Sequence, residues 1–201
     1  YFFAGNYIDV GGPCGDDSSS IDIYNLEAVR GLKAYQDLSQ FFSIDAEESS
    51  YDAVVQDFLD GRLVFTVATT DILGRIAQAA SDGSFPYEYG VVPLPDINDE
   101  IQTRGLSVTN AVAVNGYSER RELADEFAAW LATDGADKMY DRTGRIPAVN
   151  GAQVSAEGAE GFLEEYARSA PMPKLMRTAN FWVQMEIACR EIWTGENVSD
   201  V

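Results

Sequence analysis

The residues of this chain that are suited to chemistry are its acids, which include the adjacent pairs Asp16–Asp17, Glu47–Glu48 and Glu164–Glu165. Glycoside hydrolysis requires two carboxyl groups, one as general acid and one as nucleophile or base. Neighbouring residues of a loop or helix point in different directions, so none of these pairs is a credible catalytic pair. The chain has no histidine and no glycine-rich phosphate loop, which removes Ser-His and Cys-His nucleophiles and common nucleotide sites. The pattern favours binding over catalysis.

One stretch, GRLVFTVATTDILGRIAQAA (residues 61–80), combines an apolar run with polar residues at a predicted turn. The run predicts a buried strand to about Ala68, followed by a helix that begins near Asp71. Ligands of open α/β sheets bind beyond the carboxyl ends of the strands, where helix N-termini present free N–H groups. Thr69, Thr70 and Asp71 are therefore candidate ligand contacts. The alternative is that the threonines cap the helix and Asp71 complements its dipole.

The charge balance is strongly acidic, with 33 Asp and Glu against 14 Lys and Arg and a net charge of −19. Nucleic acid is therefore not expected as a partner, because phosphate backbones attract basic surfaces. The acidic loops GDDSSS and DINDE could hold a cation or could be solvated turns. Cys14 and Cys189 match no metal-binding spacing, and they either pair in an exported protein or remain free.

Helical periodicity predicts further elements on both sides of this stretch. The predicted helices lie in residues 25–42, 49–61, 118–135, 155–169 and 181–195. Asn25, Ser49 or Ser50, and Ser118 are the expected N-caps. In the third of these helices, an apolar stripe is predicted to pack: Leu123, Phe127, Trp130 and Leu131.

Apolar, β-branched runs between the helices predict strands at residues 62–69, 87–95 and 106–114. The first run is nearly continuous, as in a strand covered on both faces. Strands that alternate with helices indicate an α/β fold with a largely parallel sheet. The first residues, YFFAGNYIDV, carry no basic leader or small-residue cleavage site and resemble a strand entered in mid-course, so we expect a fragment or a trimmed mature chain.

Several segments occur in a characteristic order: FLDGRLVFTVATTDIL, YEYGVVPLPDIND, LSVTNAVAVNGYSERRELADEFAAWL, TGRIPAVN and MPKLMRTANFW. In this order they resemble the extracellular solute-binding proteins of ABC transporters (family 1), and most closely the maltose/maltodextrin-binding type. The resemblance covers the whole chain. It implies a periplasmic-binding-protein-like α/β fold of type II, in which two lobes close on a ligand.

The resemblance also implies a domain arrangement and a cellular role. Residues 1–107 and 156–201 would form the C-terminal lobe, and residues 108–155 would belong to the N-terminal lobe of the full protein. The chain would be part of a monomeric, extracytoplasmic binding subunit, periplasmic or lipid-anchored. It would deliver a sugar or oligosaccharide to ABC permease membrane subunits, without a cofactor and without enzymatic activity.

The ligand contacts of the family map onto six positions of this sequence: Tyr1, Tyr51, Asp71, Met172, Trp182 and Glu186. Tyr1, Tyr51, Met172 and Trp182 match the family's contact positions. Asp71 stands where the maltose type often has a stacking tryptophan, and Glu186 where it has an arginine. These two departures put maltose itself in doubt, but a carbohydrate is still expected because carboxylates accept hydrogen bonds from sugar hydroxyls.

The adjacent aromatic residues Phe181 and Trp182 are expected to have different roles. Phe181 fits the inward stripe of its helix and is expected in the core. Trp182 opens the helix and is expected to stack on a sugar ring, with packing as the alternative. Two other functions remain open at this point: a carbohydrate-active enzyme, and a binder of a non-sugar solute such as a polyamine, which the acids at 71 and 186 suggest.

Overall fold

The computed structural model describes residues 5–42, 44, 49–149, 154–175 and 180–201. Within these residues a few short strands are interspersed among the helices. The elements are β1 (Asp9–Val10), β2 (Ile21–Asp22), α1 (Leu26–Leu38), α2 (Tyr51–Leu59), α3 (Asp71–Asp82), β3 (Leu106–Ser107), α4 (Arg121–Ala132), α5 (Met139–Thr143), α6 (Ala159–Arg168), β4 (Ala170–Pro171) and α7 (Phe181–Thr194). Across the described part of the chain, no helix has the length and apolar character needed to cross a bilayer.

The helices predicted from periodicity are confirmed, and two of the predicted N-caps are formed as expected. The Asn25 side chain accepts a hydrogen bond from the backbone N–H of Ala28 at 2.8 Å at the start of α1. The Ser50 hydroxyl accepts one from Ala53 N–H at 3.3 Å at the start of α2. These bonds satisfy N–H groups that the first helical turn leaves without a partner.

The start of α4 differs from the prediction. Ser118 was the expected cap, but the helix begins at Arg121 and Arg120 occupies the N-cap position without a side-chain hydrogen bond. The Ser118 hydroxyl accepts instead from the backbone N–H of Arg120 at 3.2 Å. A serine that bonds two residues ahead forms a local turn, and this turn competes with the cap.

The apolar stripe of α4 also differs from the prediction, because it lies at the surface. Leu123, Phe127 and Trp130 are all exposed, and the last two stack on each other with ring centroids 6.0 Å apart. Helical periodicity shows which residues share a face. It does not supply the second surface that would cover that face.

The predicted strands at 62–69 and 87–95 are wrong for this structure, and only Leu106–Ser107 of the third run is a strand. Val64 is 80% exposed and Phe65 is 89% exposed, so the first run is not covered on both faces. β-Branched residues favour a pleated, half-buried surface, but a strand also needs a hydrogen-bonded neighbour. Residues 62–69 have no such neighbour among the described residues.

The sheets that do form contain two strands each. β1 and β2 are antiparallel, with Asp9 opposite Asp22 and Val10 opposite Ile21. β3 and β4 are parallel, with Leu106 opposite Ala170 and Ser107 opposite Pro171. The largely parallel sheet expected from the sequence is thus reduced to one short parallel pair in the described part of the chain.

The chain separates into two compact units. The first contains residues up to 49, residues 92–108 and residues 163–201, and the second contains residues 50–91 and 109–162. The second unit has the larger core: Val55, Leu59, Ile72, Leu73, Ile76, Phe85 and Ala159. The smaller core of the first unit is formed by Ile8, Val10 and Ala28. Assignment of 1–107, 108–155 and 156–201 to the lobes of a longer protein stays a prediction.

Tyr140, at the edge of the second core, provides a test of this packing. Its hydroxyl is shielded from water and has no hydrogen-bond partner among the described residues, and burial raises the pKa of its phenol. Tyr140→Phe should therefore raise the free energy of unfolding by up to about 1 kcal/mol, because an unsatisfied buried hydroxyl is removed. Urea denaturation measures the change.

The matched control for this prediction is Tyr89→Phe. Tyr89 packs against the same core, but its hydroxyl donates to the carbonyl of Glu157 at 3.0 Å. Loss of that bond should lower the free energy of unfolding by about 1 kcal/mol. Equal effects of the two substitutions would contradict the structure.

Both cysteines are free, which answers the question that the sequence left open. Cys14 is exposed, whereas burial raises the pKa of the Cys189 thiol. Because the thiolate is the reactive form, we expect iodoacetamide at pH 8 to modify Cys14 roughly tenfold faster than Cys189. Mass spectrometry of timed digests measures both rates, and they should become equal in guanidinium. Resistance of both cysteines to alkylation until a reductant is added would contradict the prediction.

Candidate functional site

The strongest candidate site lies in the second unit, where the N-terminal ends of α2 and α3 meet. The Tyr51 hydroxyl donates to one carboxylate oxygen (Oδ1) of Asp71 at 3.0 Å, and the Thr69 hydroxyl donates to the same oxygen. The backbone N–H of Thr69 donates to the Tyr51 hydroxyl oxygen at 3.2 Å. Two residues singled out from the sequence, Tyr51 and Asp71, are therefore direct neighbours although they are 20 positions apart.

Two charged residues complete this group. Arg75, one turn after Asp71 in α3, places Nε 3.3 Å from the second carboxylate oxygen (Oδ2) of Asp71 and Nη2 2.8 Å from Oδ1 of Asp52. Its guanidinium carbon lies over the Tyr51 ring, 5.9 Å from the centroid, which is within cation–π range. The hydrogen bond to Asp52 raises the pKa of the Arg75 guanidinium. We refer to Tyr51, Asp52, Thr69, Asp71 and Arg75 as the α2–α3 cluster.

The α2–α3 cluster is accessible to a ligand. Tyr51 is 41% exposed, and Asp71 and Arg75 border an open depression of about 670 Å³. The other lining residues come from α2 and α3, from the residues just beyond their C-terminal ends, and from Thr143–Gly144 at the C-terminal end of α5. An exposed aromatic ring, a carboxylate and a guanidinium are thus presented side by side at one surface.

The threonine side chains do not cap α3, which was the alternative role suggested by the sequence. Thr70 occupies the N-cap position without a side-chain hydrogen bond, and the Thr69 hydroxyl is directed to Asp71 instead. Asp71 does lie in the first turn of α3, where a carboxylate complements the helix dipole. Dipole compensation and ligand contact are compatible roles for this one carboxylate.

Sequence analysis missed Arg75 and Asp52. The signal for Arg75 was present, since an acid and a base four residues apart face each other on a helix. The contact between Arg75 and Asp52 joins two helices, and helical spacing carries no information about such a pair.

Three other candidates lie in the first unit. Trp182 is half-buried at the start of α7, with its ring edge-to-face against Phe181 at a centroid distance of 5.0 Å. Phe181 packs against the core of this unit, as expected. Glu186 is one helical turn beyond Trp182, and its exposed carboxylate lies 3.2 Å from Arg190. Trp182 and Glu186 are therefore on one face of α7.

Met172 follows β4 and is 37% exposed. Its backbone N–H donates to the Ser107 carbonyl at 3.0 Å, and this bond holds the Ser107–Pro171 end of the parallel pair. Its carbonyl oxygen closely approaches Gly15, where a Cβ atom would lie only 2.9 Å away. Gly15 also has a φ of +75°, so a glycine is required at this contact for two reasons. Tyr1, the remaining candidate, lies outside the described residues.

The described residues contain no cluster of three or more His, Cys, Asp or Glu side chains that is able to hold a metal ion. The acidic loop GDDSSS is organised by its own hydrogen bonds. In it Asp17 accepts from the backbone and the hydroxyl of Ser19, and these bonds lower the pKa of Asp17. This is the pattern of a solvated turn.

Comparison with known families identifies the chain. Residues 4–163 match the family model described as bacterial extracellular solute-binding protein. The chain belongs to this family.

Two curated relatives are sugar-binding proteins by name. The galactooligosaccharide-binding protein of Bacillus subtilis (strain 168) is 26% identical over 114 residues, which is 54% of this chain and 27% of the relative. The maltooligosaccharide ABC transporter solute-binding lipoprotein of Streptococcus pneumoniae (strain ATCC BAA-255 / R6) is 23% identical over 187 residues, which is 89% of this chain and 43% of the relative. The chain thus spans less than half of either relative.

The fold of this extracellular solute-binding protein is also found in a solved structure. The maltose-maltodextrin binding protein of Alicyclobacillus acidocaldarius aligns with a TM-score of 0.70 and 18% sequence identity, over all of this chain and 58% of that protein. The expected periplasmic-binding-protein-like α/β fold of type II is therefore confirmed. At this identity the likeness concerns the fold alone.

Proposed function

We propose that this chain is part of the substrate-binding subunit of an ABC importer, which binds an oligosaccharide between the two lobes of the full-length protein and delivers it to the membrane permease. The family and the sugar-binding relatives support this proposal. The subunit acts outside the cytoplasm, as a periplasmic protein or a surface lipoprotein. It is a monomer and performs no chemistry on its ligand.

The observation that carries the proposal is the contact between Tyr51 and Asp71 at an accessible surface. A sugar ring has apolar C–H faces and a rim of hydroxyl groups. An aromatic ring takes up the C–H face, and a carboxylate accepts hydrogen bonds from the hydroxyls. Tyr51 and Asp71 supply these two complementary groups at one place in the second unit, and Trp182 and Glu186 supply the same two types on one face of α7.

The polyamine alternative is disfavoured by the partners of the two acids that suggested it. Asp71 lies beside Arg75 and Glu186 lies beside Arg190, at 3.3 and 3.2 Å. A polycation requires carboxylates whose charge is not already offset by a neighbouring cation. A neutral sugar has no such requirement, because its hydroxyl groups need only a carboxylate oxygen that accepts a hydrogen bond.

The enzyme alternative is disfavoured by the state of Glu165. Its carboxylate accepts the backbone N–H of Leu94 at 3.0 Å and the N–H of Gly105 at 2.5 Å. It also accepts from Arg168 Nε at 2.9 Å. The Glu165 side chain is only 16% exposed, so a carboxylate held in this way joins segments of its own chain and has little surface left for a substrate.

Isothermal titration calorimetry with the full-length protein tests the proposal. Maltooligosaccharides, galactooligosaccharides and spermidine are titrated separately, and each is also tested for a shift in Tm, because a ligand of the native state raises Tm by mass action. We expect saturable binding of at least one neutral oligosaccharide and no heat with spermidine. Binding of spermidine without binding of any oligosaccharide would overturn the sugar proposal, and release of reducing sugar would overturn the non-enzymatic one.

Variants at the second unit connect this binding to the site. Tyr51→Ala should weaken the affinity for the oligosaccharide by roughly tenfold, because one stacking ring contributes about 1–3 kcal/mol. The control is Tyr117→Ala, since Tyr117 is in the same unit and almost fully exposed. If the two variants bind the oligosaccharide with equal affinity, Tyr51 is not part of the binding site, although the proposed function still holds.

A further inference from the structure

We infer that Arg75 tunes the charge selectivity of the binding site by offsetting part of the negative charge around it, so that the site prefers neutral sugars to cationic ones. This inference rests on the proposed function. Arg75 was not among the residues singled out from the sequence, and it matches no contact position of the resemblance. Its role follows from its position between three different groups of the α2–α3 cluster.

The first step concerns local charge. Arg75 bridges two carboxylates on two helices, with Asp52 at 2.8 Å and Asp71 at 3.3 Å. Without its guanidinium, two negative charges would face each other beside the Tyr51 ring with no cation between them. The charges of Asp52, Asp71 and Arg75 sum to −1. Without Arg75, the two acids alone would give the α2–α3 cluster a charge of −2.

The second step concerns the depression that two residues of the cluster, Asp71 and Arg75, border. Its lining includes three acids, namely Asp60, Asp71 and Asp82. Arg75 is the single basic residue among the described residues that line it. Asp60 also has an arginine partner, Arg62 at 2.8 Å, but Arg62 is not part of the lining. Arg75 is thus the cation that a ligand in this depression would meet.

The third step concerns the ring. The guanidinium lies over one face of the Tyr51 ring at 5.9 Å from the centroid, and a cation so close to the ring weakens the attraction of the ring for a cationic ligand. A protonated amino sugar would therefore encounter a like charge at the ring and at the carboxylate. A neutral sugar would encounter no such repulsion, because its hydroxyls are uncharged.

The experiment compares Arg75→Gln and Arg75→Lys with the unchanged full-length protein. The ligands are a neutral maltooligosaccharide and a chitosan oligosaccharide of the same length, titrated at pH 5.5, where the glucosamine amines are protonated. In Arg75→Gln the ratio of the two affinities should move toward the cationic ligand by about tenfold or more, because a positive charge beside the ligand is removed and the influence of that charge is screened by salt. The change should shrink when NaCl rises from 20 to 500 mM.

Arg75→Lys separates charge from geometry. Lysine keeps the positive charge but lacks the planar fork that reaches two carboxylates at once. We expect it to retain the preference for the neutral ligand even if both affinities fall together. A merely structural role for Arg75 would make lysine and glutamine behave alike in the affinity ratio.

The matched control is Arg121→Gln in α4. Arg121 belongs to the same unit and forms an ion pair of the same i,i+4 kind, with Asp125 at 3.8 Å, but it does not line the depression. It changes the total charge by the same amount as Arg75→Gln and should leave the affinity ratio unchanged. If the unchanged protein binds no oligosaccharide, the proposed function fails. If it binds one and Arg75→Gln shows the same ratio as Arg121→Gln, only the inference about Arg75 fails.

Discussion

Replacing Trp182 with alanine is expected to weaken oligosaccharide binding by the full-length protein by about 10- to 100-fold. An indole that covers one face of a sugar ring buries apolar C–H surface, which contributes about 1–3 kcal/mol, and each 1.4 kcal/mol is about tenfold in Kd. The ring is half-buried and meets Phe181 edge-to-face, so part of its surface is exposed to solvent. Calorimetric titration at constant temperature measures the change in Kd.

The control for this prediction is Trp130→Ala. Trp130 is also partly exposed and also stacks on a phenylalanine, Phe127, but it lies in α4 of the second unit and is no ligand contact of the proposal. Its replacement should leave Kd within about twofold of the unchanged protein. Trp182→Phe should give an intermediate Kd, because a smaller ring still stacks. A Kd for Trp182→Ala equal to that of Trp130→Ala would assign Trp182 to packing.

Gly161→Ala is expected to lower the free energy of unfolding by about 1–3 kcal/mol, the usual cost of forcing an atom into a packed interior. Gly161 is buried in α6, and a Cβ atom there would lie 2.5 Å from the carbonyl oxygen of Val91 and 2.8 Å from its carbonyl carbon. These are backbone atoms, which cannot rotate away as a side chain does. For a protein of this size each kcal/mol corresponds to about 2–4 °C in Tm, so a thermal melt and a urea titration both detect the loss.

Gly74→Ala is the opposite case and serves as the control. Gly74 lies inside α3, is exposed, and has nothing within 4 Å of the position that a Cβ would take. Alanine there should stabilise the protein by about 0.5–1 kcal/mol through helix propensity alone. Propensity favours alanine equally at both positions, so a stabilised Gly161→Ala would show that α6 does not pack on Val91 as the structure has it.

The helices could be predicted from the sequence because their determinants are local. In α1, Asn25 caps an N–H group three residues ahead. In α7, Gly195 ends the helix with a left-handed φ of 110°, a conformation that favours glycine. Both signals involve residues within one or two helical turns of each other, so they do not depend on the tertiary fold. The inward position of Phe181 was predictable for the same reason, since helical spacing relates it to Met185.

The strands could not be predicted, because their determinants are not local. Residues 62–69 have the composition of a buried strand, yet Phe65 is among the most exposed side chains of the described residues. A strand exists through hydrogen bonds to a neighbour that is distant in sequence. The neighbour that β3 does have, β4, begins 64 positions further on and pairs with two residues only.

For the candidate site, the sequence by itself determined the types of residue and the family order of the segments, which led to Tyr51, Asp71, Met172, Trp182 and Glu186. Only the tertiary structure decided that the Tyr51 hydroxyl bonds to Asp71 and that Arg75 joins Asp71 to Asp52. Helix periodicity relates residues on one helix, whereas these contacts depend on how α2 packs beside α3. That packing follows from the shared core of Val55, Ile72 and Ile76, and it is this burial of apolar surface, a property of the whole unit, that brings the polar groups together.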